Sequence, residues 1–164
     1  MDTNKTDMKH NRHKTIPAAI VTSATIVGVF VAVYQFVVNY SMYDLTGEWM
    51  ITDTIEKTSY HPHRGLRLAF RVHLIQKGRD ITATGEKWSE NDVPLPSRLH
   101  TPIKITGSIN GKRITATFEE EGAERRSGGI FYWTIQEETN SLRGTFTSTS
   151  ADTSGSSDGK RVVH

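Results

Sequence analysis

The stretch LRLAFRVHLIQKGRDITATGEKW, residues 66–88, decides the fold class. Leu66, Leu68, Phe70, Val72 and Leu74 alternate with Arg67, Arg71 and His73, the period of two that puts apolar side chains on one face of a strand. Lys77-Gly78 turns this strand, Leu66 to Gln76, into a second one, Asp80 to Trp88, so the segment reads as an antiparallel hairpin.

Working outward, the same pattern recurs on both sides. Thr46 to Glu56 is a strand with Trp49, Ile51 and Ile55 on one parity. Ser89 to Pro102 carries Pro94, Pro96 and Pro102 and is expected to be an ordered surface loop, long enough to cover a barrel mouth, because proline donates no ladder hydrogen bond. Ile103 to Ile109 meets Lys112 to Glu120 across Asn110-Gly111, a strong hairpin signal. Gly129 to Gln136 is joined to Leu142 to Thr149 by the polar connection Glu137 to Ser141. Ala151 to Gly159, rich in serine, glycine and aspartate, reads as a flexible loop before a short last strand, Lys160 to Val163. Eight successive strands in residues 44–164 predict an all-β fold, a small up-and-down antiparallel barrel that can enclose one small ligand. A two-sheet sandwich of the same strands is the runner-up. A membrane-spanning barrel is disfavoured, because the outward faces carry charge along most of their length.

Upstream, Ile16 to Val38 runs 23 residues without Asp, Glu, Lys, Arg or His. As a helix it is roughly 34 Å long at about 1.5 Å per residue, which matches a bilayer core of roughly 30 Å. It is too long for the apolar core of a cleaved signal peptide. One N-terminal transmembrane helix at 16–38, behind a polar basic leader at 1–15, is therefore expected, with single-pass placement in a bacterial inner membrane. Ala24, Gly28 and Ala32 recur every four residues, the small-residue spacing that allows helices to pack closely and a homo-oligomer to form in the membrane. Lys5, Lys9, Arg12 and Lys14 in the leader favour a cytoplasmic N-terminus and a barrel on the far side.

The 164-residue chain has a net charge of +2, but that excess sits in the leader; the remainder carries 16 charges of each sign. A neutral domain of this kind does not point to polymeric nucleic acid. With no cysteine, thiol catalysis, thiolate metal sites and disulfides are excluded. No nucleophile and base are placed together by spacing, so the chain is read as a non-enzyme with no catalytic residue, no cofactor and no metal site. His61 and His63 make a loop pair without further ligands. Asp53 and Glu56 read as ordinary solvated positions at a strand edge.

The ligand-binding candidates are Arg71, His73, Arg125, Arg126, Tyr132, Trp133, Arg143, Thr145 and Thr147. Arg125 and Arg126 precede Ser127-Gly128-Gly129, whose freed N–H groups suit a phosphate, although a mobile charged hairpin tip balanced by Glu119 to Glu121 is the simpler explanation. Both faces of the strand around Tyr132 are aromatic or apolar. Arg143, Thr145 and Thr147 share a face; if it lines a lumen it offers a cation and two hydroxyls to an anionic ring system, and otherwise it is the wet side of the sheet. Arg71 and His73 carry the same ambiguity.

Leu45-Thr46-Gly47-Glu48-Trp49 resembles the opening of the first strand in avidin-like and lipocalin-type barrels, where the tryptophan closes or lines one end. The order of the whole chain, an apolar N-terminal segment feeding into a minimal eight-stranded barrel, resembles the transmembrane β-barrel effectors of bacterial cyclic-oligonucleotide-based antiphage signalling systems (CBASS). That resemblance implies a cytoplasmic barrel that binds a cyclic dinucleotide and triggers oligomerisation and disruption of the lipid bilayer, leading to cell death. The alternative is an envelope-associated structural or lipid- or partner-binding β-barrel without nucleotide sensing.

Overall fold

The structure, a computed structural model, describes residues 43–122 and 126–163. Among them are nine strands: β1 (Gly47–Lys57), β2 (Arg67–Lys77), β3 (Asp80–Glu90), β4 (Val93–Pro94), β5 (Thr101–Asn110), β6 (Arg113–Glu121), β7 (Arg126–Gln136), β8 (Ser141–Ser148) and β9 (Thr153–Arg161). All but the two-residue β4 join in one antiparallel meander, which closes because β1 pairs with both β2 and β9. The result is the eight-stranded antiparallel barrel expected from the alternating runs, not a sandwich.

One set of parities fills the interior. Trp49, Ile51 and Ile55 on β1 and Phe70, Val72 and Leu74 on β2 are buried, as the sequence pattern predicts. The end carrying the tight turns after β2, β5 and β7 is packed solid by Leu45, Trp49, Ile109, Ile114, Ile135 and Leu142. Here the Leu45 to Trp49 motif shows its physical role. The Trp49 Nε1–H donates to the Leu45 carbonyl at 2.8 Å, and the Leu45 N–H donates to Gln76 Oε1 at 2.9 Å, so the chain folds under the barrel before entering it. Gly47, between them, has φ +138°, where a side chain would be strained.

The largest departure from the sequence reading is β9. Where the composition predicts a flexible loop from Ala151 to Gly159 and only Lys160 to Val163 as strand, Thr153–Arg161 is a nine-residue strand hydrogen-bonded on both sides. Its inward positions, Thr153, Gly155, Ser157 and Gly159, are all buried. Small residues belong there because Trp49 and Trp133 already occupy the lumen, so tertiary packing overrides a weak local propensity. The proline-rich loop is likewise more regular than expected: Pro94 pairs with Ser89 and Pro102 with Glu86. Ser127, Gly128 and Gly129 lie inside β7 and pair with Glu120, Glu119 and Phe118 rather than forming an anion-holding tip.

The run Ile16–Val38 and the leader lie outside the described residues, as does Arg125. Among the described residues no helix is long and apolar enough to cross a membrane. The expected single-pass placement in an inner membrane is corrected to this extent: no spanning helix among the described residues supports it.

Two glycines mark where strands bend closely together. A Cβ on Gly144 would sit 1.8 Å from the Tyr132 carbonyl oxygen, and one on Gly155 the same distance from that of Thr54. Glycine at such corners lets a small barrel coil tightly enough to close. Gly144→Ala is expected to lower stability by about 1–3 kcal/mol or more through overpacking, whereas Thr145→Ala on the exposed face should stay within about 0.5 kcal/mol. Urea unfolding of the two variants checks the contrast.

Candidate functional site

One row of inward side chains crosses the sheet. Asp53 on β1 stands opposite Leu68 on β2 and Ser157 on β9; Ser157 stands opposite Gly144 on β8, and Gly144 opposite Trp133 on β7. Because Gly144 has no side chain, the Trp133 indole reaches past it, and its Nε1–H donates to Ser157 Oγ at 2.9 Å. The Ser157 hydroxyl in turn hydrogen-bonds the Asp53 carboxyl. Asp53 is only 2% exposed, yet its Oδ1 has no hydrogen-bond partner among the described residues.

Past Asp53, toward the longer connections, the packing loosens into a cavity of about 310 Å³. Leu66, Leu68, Phe70, Phe118 and Phe146 give it apolar walls. Its base is stiffened by aromatic contact, with Phe131 stacked on Trp133 at 4.3 Å and tilted against Phe118 at 4.5 Å. Glu120, Lys87, Glu90 and His63 also line it. Lys87 is held by Glu90, Nζ to Oε1 at 2.6 Å, while Glu120 accepts from Ser127 Oγ at 3.3 Å.

This setting shapes the acids. Burial pushes the Asp53 carboxyl up from 3.8 to about 8, against the opposing hydrogen bond from Ser157, and the neighbouring Glu120 and Asp158 add to the rise. Burial also raises Glu120, with Lys87 and the Ser127 hydroxyl pulling the other way. Asp53 is therefore a protonated acid at neutral pH, lodged between an apolar cavity and a fixed serine. The arrangement supplies shape, apolar surface and hydrogen-bonding groups. No group of three or more His, Asp or Glu residues suited to holding a metal occurs among the described residues.

The sequence-derived candidates lie elsewhere. Among the described ones Trp133 alone points inward, where it is buried in the relay to Ser157. Arg71 and His73 are on the outer face of β2; the Arg71 guanidinium lies 4.1 Å from the Trp88 ring, and both residues border a shallow outer groove with Glu48 and Met50. Tyr132 is 48% exposed and pairs with outward-facing Thr145. Arg143 makes a 3.3 Å ion pair with Asp158 on the surface, Thr147 is exposed beside Ile130, and Arg126 faces Glu121 at 3.7 Å. The structure brings Arg143, Thr145, Thr147 and Tyr132 onto one outer face of β7 and β8, with Arg71 and His73 on a different strand pair.

Residues that the sequence reading passed over form the site instead. Asp53 is not a solvated strand-edge position; it shares the parity of Trp49, Ile51 and Ile55, and an acid on an apolar parity was the available signal. Glu120 likewise follows Ile114, Ala116 and Phe118 on their inward face. Ser157 had no such signal, because its strand was hidden in a loop-like composition.

Comparison with protein-family models, with curated proteins and with solved structures returns no match to this chain. Nothing ties the barrel to the avidin-like or lipocalin families or to the antiphage effectors. The expectation of a membrane-disrupting antiphage effector that encloses a cyclic dinucleotide is corrected. The described residues assigned to the nucleotide face outward apart from Trp133, the tight-turn end of the lumen is filled by side chains, and no family match or spanning helix among the described residues supports it.

Asp53 makes stability fall with pH. Between about 4 and about 8 the folded chain keeps a proton that the unfolded chain loses, so this group removes up to ~1.4 kcal/mol of stability per pH unit across that window and nothing further above it. Asp53→Asn should flatten this dependence and be more stable than the parent at pH 8 by a few kcal/mol, with a smaller gain at pH 5. Urea titrations of both proteins at the two pH values test it; parallel losses in parent and variant would show that Asp53 is ionised throughout.

Proposed function

We propose that this chain is a non-enzymatic binding protein whose barrel admits one small amphipathic, lipid-like molecule at its open end. The observation that carries the reading is the cavity of about 310 Å³, in which an apolar wall of Leu66, Leu68, Phe70, Phe118 and Phe146 meets an equally extensive polar lining that includes the buried, incompletely bonded Asp53. That volume lies at the lower end of the ~300–1,000 Å³ typical of small-molecule sites, which are mostly apolar with a few placed polar groups. Phe70, Phe118 and Phe146 are core residues on hydrogen-bonded strands, and Leu66 and Leu68 pack against that core, so the cavity is preformed and little ordering opposes binding.

The test is a thermal-shift and native mass-spectrometric screen of the full chain against short-chain alcohols, acids, amines and monoacyl lipids. A true ligand should bind once per chain and stabilise by about 2.7 kcal/mol at a hundredfold excess over its Kd. Leu68→Trp places a larger apolar group in the cavity and should abolish the shift while leaving the fold intact. A shift of equal size in Leu68→Trp, or none with any class, would overturn the reading.

A further inference from the structure

We infer that the cavity selects a protonated amine, held with its ammonium inward between the Asp53 and Glu120 carboxyl groups and its apolar body along the phenylalanine walls. The inference rests on the binding reading above and names the chemistry of the ligand's head.

Three observations lead to it. First, the inward acids outnumber the inward cations: Asp53, Glu120 and Glu90 line the cavity, against Lys87 alone among lysines and arginines. Lys87 is committed to Glu90 at 2.6 Å, at the rim. Second, Asp53 is 2% exposed and its Oδ1 lacks any partner among the described residues, so an acceptor lies at the base of the cavity. An acceptor buried without a donor costs stability, and an incoming donor recovers that loss. Third, its other contact is already fixed: the Trp133 to Ser157 relay hands one hydroxyl donor to the carboxyl, which holds the carboxyl's orientation and leaves Oδ1 for a ligand.

An ammonium carries three donors and no acceptor. It complements two carboxyl groups better than an alcohol, which brings one donor, and a carboxylate head would meet like charge. Binding of the cation favours the ionised form of Asp53, so the proton that burial keeps there leaves as the ligand enters. The groups facing Asp53 from its packed neighbours are Glu120 on β6, Lys87 and Glu90 on β3, Ser157 on β9 and His63 at the rim, while Asp158, on the outer face of β9, acts on it only by its charge. The acids among these oppose its ionisation until the ammonium arrives. Amine affinity therefore rises with pH up to about 8, above which the free chain's Asp53 is already ionised, by as much as roughly tenfold per unit.

The experiment compares octylamine, 1-octanol and octanoate, which share a chain and differ in the head, by calorimetry on the full chain at pH 7. Octylamine should bind roughly ten- to a hundredfold more tightly than 1-octanol, the range of one or two charge-assisted hydrogen bonds, and octanoate should bind least. Repeating the titration in buffers of different ionisation enthalpy should show about one proton released per amine bound. Asp53→Asn and Glu120→Gln should each bring octylamine down toward the affinity of 1-octanol and abolish the proton release, while urea unfolding of each variant remains cooperative, which separates loss of the head contact from loss of the fold. If 1-octanol or octanoate binds as tightly as octylamine, or the amine binds without proton release, the amine inference falls and the binding reading stands. If none of the three binds, or Leu68→Trp binds them as the parent does, the binding reading falls and takes the inference with it.

Discussion

Pairing of β1 with β9 is the contact on which the molecule depends. Without it the meander from β1 to β9 would leave two long open edges, each a row of unpaired N–H and C=O groups ready to recruit another chain. With it every barrel strand has a neighbour on both sides, and the inward side chains enclose a single core. Closure also dictates what β9 contains. A circle of eight strands leaves an interior barely wide enough for its own side chains, and Trp49, Trp133, Phe70 and Phe131 claim most of it. The strand that completes the circle has to present glycine, serine and threonine inward.

Side-chain volume is unevenly shared along the barrel axis, and this creates the site. At the tight-turn end Trp49 and a ring of isoleucine and leucine fill the lumen, with Leu45 folded beneath them. At the other end the inward positions become Lys87, Glu120, Ser148 and Thr153, residues that are shorter or that reach toward water, and a cavity remains. The Gly144 gap links the two halves. It lets the indole of Trp133 contact Ser157, and through Ser157 the packed half fixes the carboxyl that faces the open half. A core tryptophan thus positions a polar group of the site without entering the cavity itself.

Asp53 conflicts with the rest of the core. Burial of an acid whose second oxygen has no partner is costly, and proteins keep such groups where a ligand recovers the loss. Leucine at this position would extend the apolar row between Leu68 and Ser157 and remove the stability penalty at neutral pH. Under the proposed function the acid sets ligand selectivity, and a penalty of this kind is the usual cost of a preformed polar site in an apolar surround.

Much of the architecture was legible from the chain alone. Alternation in 66–88 and the turns at Gly78 and Gly111, both with positive φ, specify antiparallel hairpins by local sterics, and the count of alternating runs points to a closed meander. Inward faces of β1, β2 and β6 follow from parity, because a strand has only two sides. Tertiary structure decided the remainder. Whether Arg143, Thr145 and Thr147 or Leu142, Gly144 and Phe146 faced the lumen depended on the partner strands, and the barrel turned the larger apolar set inward. The strand character of 153–161 came from its two neighbours, since serine and glycine carry little preference of their own. The site, too, is a product of closure: Asp53, Ser157, Trp133 and Glu120 are scattered over more than a hundred residues of sequence and meet only because β9 brings the end of the chain back beside its first strand.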